Sequence, residues 1–232
     1  MTDSKAIDLR DLRFAWPDSP VLLDIDAFQL DRGERLFLRG PSGSGKSTLL
    51  GLIAGVLEAQ SGEIRILGDE MSGLSGAKRD RLRADRMGVI FQMFNLVPYL
   101  SVVQNVMLPC RFSKARRSAT GNDPAQEARR LLSRLGLDDD RLLARPVTEL
   151  SVGQQQRVAV ARALIGGPEL LIADEPTSAL DADARDRFIE LLNEEAARSG
   201  AALLFVSHDG ALASHFDRAL DLGELNRVRA SA

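Results

Sequence analysis

Apolar and polar residues alternate from Ile7 to Phe14 and again from Val21 to Leu30, a period of two that lays one face of an antiparallel strand on a core. Asp31-Arg32-Gly33-Glu34 has the composition of a turn and leads into Arg35-Leu36-Phe37-Leu38-Arg39, a short apolar run that reads as a buried strand. Runs at Ile64 to Leu67, Met87 to Phe91, Glu169 to Ala173 and Ala202 to Val206 predict further buried strands, with Gln60-Ser61-Gly62-Glu63 as the turn into the first. Helical spacing governs other stretches. It predicts helices from Lys46 to about Leu57, over residues 75–86, from Asp123 to Gly136, from Ser151 to about Ile165 and from about Ala182 to Arg198. The Asp123 helix is marked at both ends. Asp123 is an N-cap, Pro124 opens the first turn, Ala128, Leu131, Leu132 and Leu135 share a face, and Gly136 is a terminator. From Met93 to about Ile165 strand signals stop, as in an inserted helical subdomain. Within it, Arg111 to Asn122 is polar and basic and reads as an exposed connection; the tail from Arg218 to Val228 reads as an edge hairpin.

Between the strand ending at Arg39 and the first helix lies Gly40-Pro41-Ser42-Gly43-Ser44-Gly45-Lys46-Ser47, followed by Thr48, a match to the phosphate loop at every fixed position. Small residues let the backbone wrap a phosphate chain with its N–H groups turned inward. Lys46 brings a charge to the β- and γ-phosphates, Ser47 offers a hydroxyl to Mg²⁺, and the helix adds the positive end of its dipole. The order strand, Gly-rich turn, helix makes this a nucleotide site in an α/β fold: a P-loop NTPase core with a mixed sheet, an N-terminal antiparallel β subdomain and an inserted helical subdomain.

A chain of 232 residues holds one such domain, with 1–92 and 166–232 as the nucleotide-binding core and 93–165 as the helical subdomain. The net charge of −3 argues against a general nucleic-acid binder, so no nucleic acid is expected. A single cysteine, Cys110, makes no disulfide framework; it reads as a small buried apolar residue in a reducing compartment. The N-terminus lacks the apolar segment of a signal peptide, and no apolar run approaches the ~20 residues that span a bilayer, so a membrane role comes through a partner. The basic stretch at 75–86 reads as a solvated face or as a contact for headgroups or a partner. Trp16, the only tryptophan, reads equally as a ring that stacks on a base and as a plug under the sheet.

Two further motifs carry chemistry. Asp174 closes an apolar strand, the place where a P-loop ATPase keeps its Mg²⁺-coordinating acid, and Glu175 follows as a candidate base for the attacking water. Leu150-Ser151-Val152-Gly153-Gln154 opens a helix with Ser151 as N-cap, and Gly153 leaves backbone N–H groups accessible. It is a second phosphate-binding end, distant in sequence from the first, and two such surfaces in one chain point to a composite site across a dimer.

With these residues in place the sequence resembles the ATP-binding cassette (ABC) ATPases over nearly its whole length. The resemblance rests on GPSGSGKS at 40–47, Gln92, LSVGQ at 150–154, LLIADE at 170–175, SALD at 178–181 and His208. The absence of an N-K-x-D motif weakens a GTPase reading. The resemblance implies that Trp16 stacks on adenine, that Ser47, Gln92 and Asp174 surround Mg²⁺, and that Glu175 is the catalytic base. It implies that His208 contacts the γ-phosphate, that Ser151, Gly153 and Gln154 act on the ATP of the opposite protomer, and that Asp181 links the two sites. Val152 departs from the family's usual LSGGQ. Phe91 to Pro98 and Val102 to Val106 are similar to the lipoprotein-releasing and macrolide-exporting branch, whose permeases carry a large extracytoplasmic domain. Pro176-Thr177-Ser178-Ala179-Leu180-Asp181 departs from that branch's usual Gly-Asn-Leu-Asp. The function implied is an ATP hydrolase that forms a homodimer in the ATP-bound state and drives an integral membrane permease docked near Gln92 to Val106, on the inner face of the cell membrane. The alternative is a soluble regulatory or DNA-associated ABC ATPase that clamps a macromolecule without transport; such proteins typically carry a long coiled-coil insertion or two fused cassettes, which this chain lacks.

Overall fold

The computed structural model describes residues 4–178, 180 and 182–228. The chain divides into two units, one formed by the residues up to Arg83 together with those from Ala202 on, the other by Ala84–Ala201.

In the first unit the N-terminal alternation becomes β1 (Lys5–Ala15) and β2 (Val21–Asp31), antiparallel and in register from Ile7 opposite Leu30 to Phe14 opposite Leu23. β4 (Ser61–Ile66) pairs with the other side of β1, and β5 (Asp69–Glu70) closes this sheet in the order β2-β1-β4-β5. Of the expected turn at Gln60–Glu63, Ser61 to Glu63 are instead the start of β4. Its glycine serves a bulge: Gly62 has φ 97°, the register shifts between Arg10 and Arg13, and Asp11 takes φ 50° opposite it. A Cβ on Gly62 would lie 2.5 Å from the Asp11 carbonyl oxygen, so no side chain fits there. The bulge also explains why the buried residues Leu9 and Leu12 are three apart while Leu12 and Phe14 are two apart.

The same unit contains β3 (Arg35–Arg39), which pairs in parallel with β8 (Ala202–Ser207) on one side and with β9 (Arg218–Asp221) on the other. After the Gly-rich loop comes α1 (Lys46–Ile53), a turn shorter than its apolar spacing predicts. Gly55, at φ 67°, ends it: the N–H groups of Val56 and Leu57 turn back to the Gly51 carbonyl at 2.9 and 3.0 Å. The tail is not a hairpin. Asp221 caps a short helix, α10 (Leu222–Leu225), and Asn226 then bridges to Ile25 of β2. The alternation there is only four residues long, too short to distinguish a parallel edge strand from one arm of a hairpin.

In the second unit β6 (Met87–Ile90) and β7 (Leu170–Asp174) run parallel. α2 (Gly76–Arg86), which lies in the first unit as far as Arg83, precedes β6 in the chain. The helices are α3 (Val102–Met107), α4 (Pro109–Phe112), α5 (Lys114–Ala119), α6 (Pro124–Arg134), α7 (Asp140–Leu143), α8 (Val152–Leu164) and α9 (Ala182–Ser199). α6 is capped by Asp123, which accepts from the Gln126 N–H at 3.0 Å, and it buries Ala128, Leu131 and Leu132. Cys110 is buried, and burial pushes its thiol above the usual range.

The segment from Arg111 to Asn122 overturns the expectation of an exposed connection. It forms the end of α4 and all of α5, and Arg116 is only 2% exposed. Its guanidinium donates to the carbonyls of Ala163 and Ile165, at 3.2 and 3.1 Å, and to that of Met87. Basic composition signals exposure only when no acceptor competes with water. Here the carbonyl end of α8 does compete, and it carries the negative end of that helix dipole. Burial lowers the Arg116 pKa to about 10, which leaves it cationic. Among the described residues no helix is long and apolar enough to cross a membrane.

Candidate nucleotide site

In the first unit, β3 delivers the chain to the loop and α1 receives it. Gly43 and Gly45 take φ 79° and 96°, and Gly45 is the N-cap of α1. A Cβ on Gly40 would lie 2.8 Å from Ser44 Oγ, and one on Gly45 2.9 Å from Leu23 Cδ2, so packing favours glycine at both positions and the backbone demands it at Gly45. Lys46 is 6% exposed, and its Nζ donates to the carbonyls of Gly40 and Pro41 at 2.8 and 2.9 Å. The loop thus holds a buried ammonium beside the open end of a helix. Ser44 Oγ is buried without a hydrogen-bond partner, Ser47 is exposed and Thr48 half-buried. Curled backbone, buried cation and orphaned hydroxyl fit a polyphosphate chain.

Trp16 lies just past β1, 45% exposed and edge-on to Phe14, with ring centroids 5.2 Å apart and planes at 87°. Phe14 is the buried plug, and much of the indole faces outward. His208 follows the last residue of β8 and is exposed; Asp209 after it caps the next turn through the Ala211 N–H at 3.1 Å.

In the second unit, Asp174 is the last residue of β7 and Glu175 takes φ 45°. That left-handed conformation costs a residue other than glycine roughly 1 kcal/mol or more, and such outliers gather at functional positions. Both carboxylates are half-buried. A turn follows, with the Ser178 N–H donating to the Glu175 carbonyl at 3.3 Å. Asp181 lies outside the described residues.

α8 begins with a reciprocal cap. Ser151 Oγ accepts from the Gln154 N–H at 3.3 Å, and Gln154 Oε1 accepts from the Ser151 N–H at 2.9 Å. Val152 occupies the first helical position, outside the left-handed region, and is 53% exposed. The N–H groups of Val152 and Gly153 precede the first intrahelical bond and are the donors α8 leaves for an anion.

Gln92 is exposed in the loop after β6. Sequence reasoning missed what shapes that loop. Phe94 and Asn95 have φ 56° and 49°, and Arg162, from the last turn of α8, donates to both their carbonyls, at 2.6 Å for Asn95. Further on, the buried Asn105 amide accepts from the Val97 N–H at 2.7 Å and donates to the Val97 carbonyl at 3.0 Å. Phe91, Met93, Tyr99 and Phe112 stay exposed, Met93 and Tyr99 at 82% each. A signal for Arg162 exists, a single charge inside the apolar run from Val158 to Leu164, but nothing local names its partners.

Ser47 in the first unit, and Gln92 and Asp174 in the second, each carry an oxygen donor, the hard kind that suits Mg²⁺. Among the described residues no group of three or more His, Cys, Asp or Glu forms a metal cage. Oxygen donors of this kind suit an ion that takes much of its shell from water and phosphate.

A parallel β3–β8 pair, the Gly-rich loop and a helix opening on a buried lysine define a P-loop ATPase. Residues 23–178 match the family described as ABC transporter. The lipoprotein-releasing system ATP-binding protein LolD 2 of Rhodospirillum rubrum is 42% identical over 196 residues, covering 84% of this chain and 83% of that protein. The uncharacterized ABC transporter ATP-binding protein YbbA of Escherichia coli K12 is 41% identical over 191 residues, covering 82% and 81%. Among solved structures, the dimeric post-hydrolysis state of the cassette MJ0796 bound to ADP and Pi superposes with a TM-score of 0.83 at 32% identity, over 93% of both chains. The chain belongs to the ABC transporter family, as an ATPase subunit, and is most like its lipoprotein-releasing branch.

Proposed function

We propose that this chain is the nucleotide-binding subunit of an export or extracytoplasmic mechanotransmission complex, closing as a homodimer on ATP and opening on hydrolysis. The observation that carries the reading is the presence of two phosphate-seeking helix ends in one chain, α1 behind the Gly-rich loop and α8 behind Ser151. A single nucleotide needs only one, so the second suits the ATP of a neighbouring copy. The dimer of MJ0796 supports this arrangement. In the proposed division, 1–92 and 166–232 bind nucleotide and 93–165 form the helical subdomain.

In this reading Trp16 stacks on the adenine, while Lys46, Ser44 and the loop amides from Gly40 to Thr48 hold the phosphates. Glu175 takes the proton of the attacking water, and His208 steadies the γ-phosphate. Ser47, Gln92 and Asp174 hold Mg²⁺, which when bound neutralises the charge developing on the phosphates. Ser151, Gly153 and Gln154 address the partner's ATP, and Asp181 relays between the two sites. The chemistry is phosphoryl transfer to water, achieved by positioning and charge. The exposed Phe91 and Met93 on either side of Gln92, with the exposed Tyr99 further along the chain, support a permease docked over Gln92 to Val106 and, with it, a position on the inner face of the cell membrane.

The test is Glu175→Gln in size-exclusion chromatography with light scattering. ATP is expected to convert monomer into dimer and ADP is not. A variant that binds no ATP would sink the whole reading; one that binds ATP and stays monomeric without and with its co-purified permease would sink the composite site.

A further inference from the structure

α8 is a rod with a functional feature at each end. Ser151 and Gly153 stand at its start, and Arg162 lies in its last turn, about 16 Å further along at 1.5 Å per residue. Arg162 is a buried cation whose hydrogen bonds go to main-chain carbonyls, those of Phe94 and Asn95; among the described residues no ion pair is recorded for it. Arginine suits this work because its planar fork meets two adjacent acceptors at once, which an ammonium on a flexible stem does not.

The two carbonyls belong to residues that resist their own conformation. Consecutive left-handed residues at Phe94 and Asn95 cost roughly 1–2 kcal/mol each, more for the bulky phenylalanine than for asparagine. Such a turn persists only where surrounding contacts hold it, and the guanidinium provides two of them. The other end of the segment is also tied to α8. Arg116, lodged against the carbonyls of Ala163 and Ile165, donates to the carbonyl of Met87, the first residue of β6. The stretch from Met87 to Asn95 is therefore strapped at both ends to one turn of one helix, and Gln92 sits between the straps.

We infer that Arg162 is a positioning residue: by fixing the Phe94–Asn95 turn it sets where Gln92 stands, and it makes that loop move with the helix that begins at Ser151. The inference rests on the role proposed above for Gln92. A displacement of the loop, by a partner on Met93 or by a nucleotide at Gln92, reaches Ser151 through a rigid helix. Loss of the fork leaves the helix folded and frees the loop.

The experiment compares Arg162→Lys, Gln92→Ala and the double variant in the full chain. It measures thermal stability, kcat and KM for ATP, and amide hydrogen exchange by peptide. Arg162→Lys keeps the charge and loses the fork. Exchange over residues 93–97 is expected to rise about tenfold while residues 151–158 stay as in the parent chain. The expected kcat falls about tenfold or more, with KM for ATP changed less than about threefold. The double variant is expected to turn over like Gln92→Ala alone, because both substitutions remove one function. Where the lysine variant does not fold, Arg162→Gln, which buries no charge, takes its place.

Unchanged exchange over 93–97 would overturn the inference. So would losses that multiply in the double variant, which would place Arg162 on a separate route while leaving Gln92 its role. Gln92→Ala with full turnover would instead remove the role of Gln92, and with it the function assigned to Arg162. The ATP-driven dimerisation of Glu175→Gln tests the composite site apart from either result.

Discussion

Val152 stands where the family signature carries its first glycine, and its backbone defines what the change costs. It occupies the first position of α8 in an ordinary conformation, with its side chain more than half in solvent. An ordinary φ at 152 makes no demand for glycine, and the Gly153 N–H still precedes the first intrahelical bond. Val152→Gly is therefore expected to change steady-state ATP hydrolysis by less than about threefold, because an open first-turn position gains no donor from glycine and only loses helix propensity. An increase of more than about tenfold would mean that the valine obstructs the closed dimer. At this scale the sequence was legible wherever a residue acts through near neighbours. The bonds of Lys46 to the Gly40 and Pro41 carbonyls and the reciprocal pair of Ser151 and Gln154 close within six residues, so spacing describes that geometry. Arg162 and Arg116 bond across distances of 29 to 68 residues, and no local pattern carries that.

α5 is the element that charge composition misplaced, and it shows what the helices of the second unit depend on. Its Arg116 satisfies two carbonyls at the end of α8 and one at the start of β6, all shielded from water. Gly166, at φ 74°, packs so close to this residue that a Cβ there would lie 2.7 Å from the Arg116 carbonyl oxygen. Arg116→Met keeps much of the volume and removes the donors. It is expected to destabilise the chain by roughly 2–4 kcal/mol, since buried carbonyls without partners each cost about 1–3 kcal/mol and relaxation recovers only part. Urea denaturation followed by circular dichroism measures this. A loss below about 1 kcal/mol would mean that water reaches those carbonyls. Element type and most boundaries were legible: caps such as Asp123 and Ser151 and the core spacing of α6 act within a few residues. Gly62 and Gly55 were ambiguous because glycine marks a turn, a bulge and a helix terminus alike, and only the partner strand or the packed side chain separates them.

For the whole chain, what the local pattern left out is long-range pairing. β9 joins β3 across 182 residues, and two ion pairs fasten it there: Arg35 with Asp217 at 2.5 Å and Arg39 with Asp221 at 2.8 Å, just before and at the end of the strand. The phosphate loop and the periodicities around it carried the fold class, whereas the strand's partner rests on these contacts. They also give stability a pH dependence. The Arg35 guanidinium holds the Asp217 carboxyl below the usual carboxylate range, and Arg39 does the same to Asp221. A carboxyl whose folded pKa is depressed contributes fully above its unfolded value, about 3.9, and loses that contribution as pH falls through the folded pKa. Both pairs are partly open to solvent, so each contributes modestly. The expected profile is a midpoint temperature nearly flat from neutral pH down to about pH 5, falling below about pH 4. Trp16, the only tryptophan, lies in the same unit as β3 and β9, so its fluorescence reports that unit's transition directly. Asp217→Asn with Asp221→Asn is expected to lower the midpoint near neutral pH and to flatten the fall in acid, because the variant has less to lose there. If the double variant keeps the full acid slope, other carboxylates govern the transition and β9 is held by its main-chain pairing to β3.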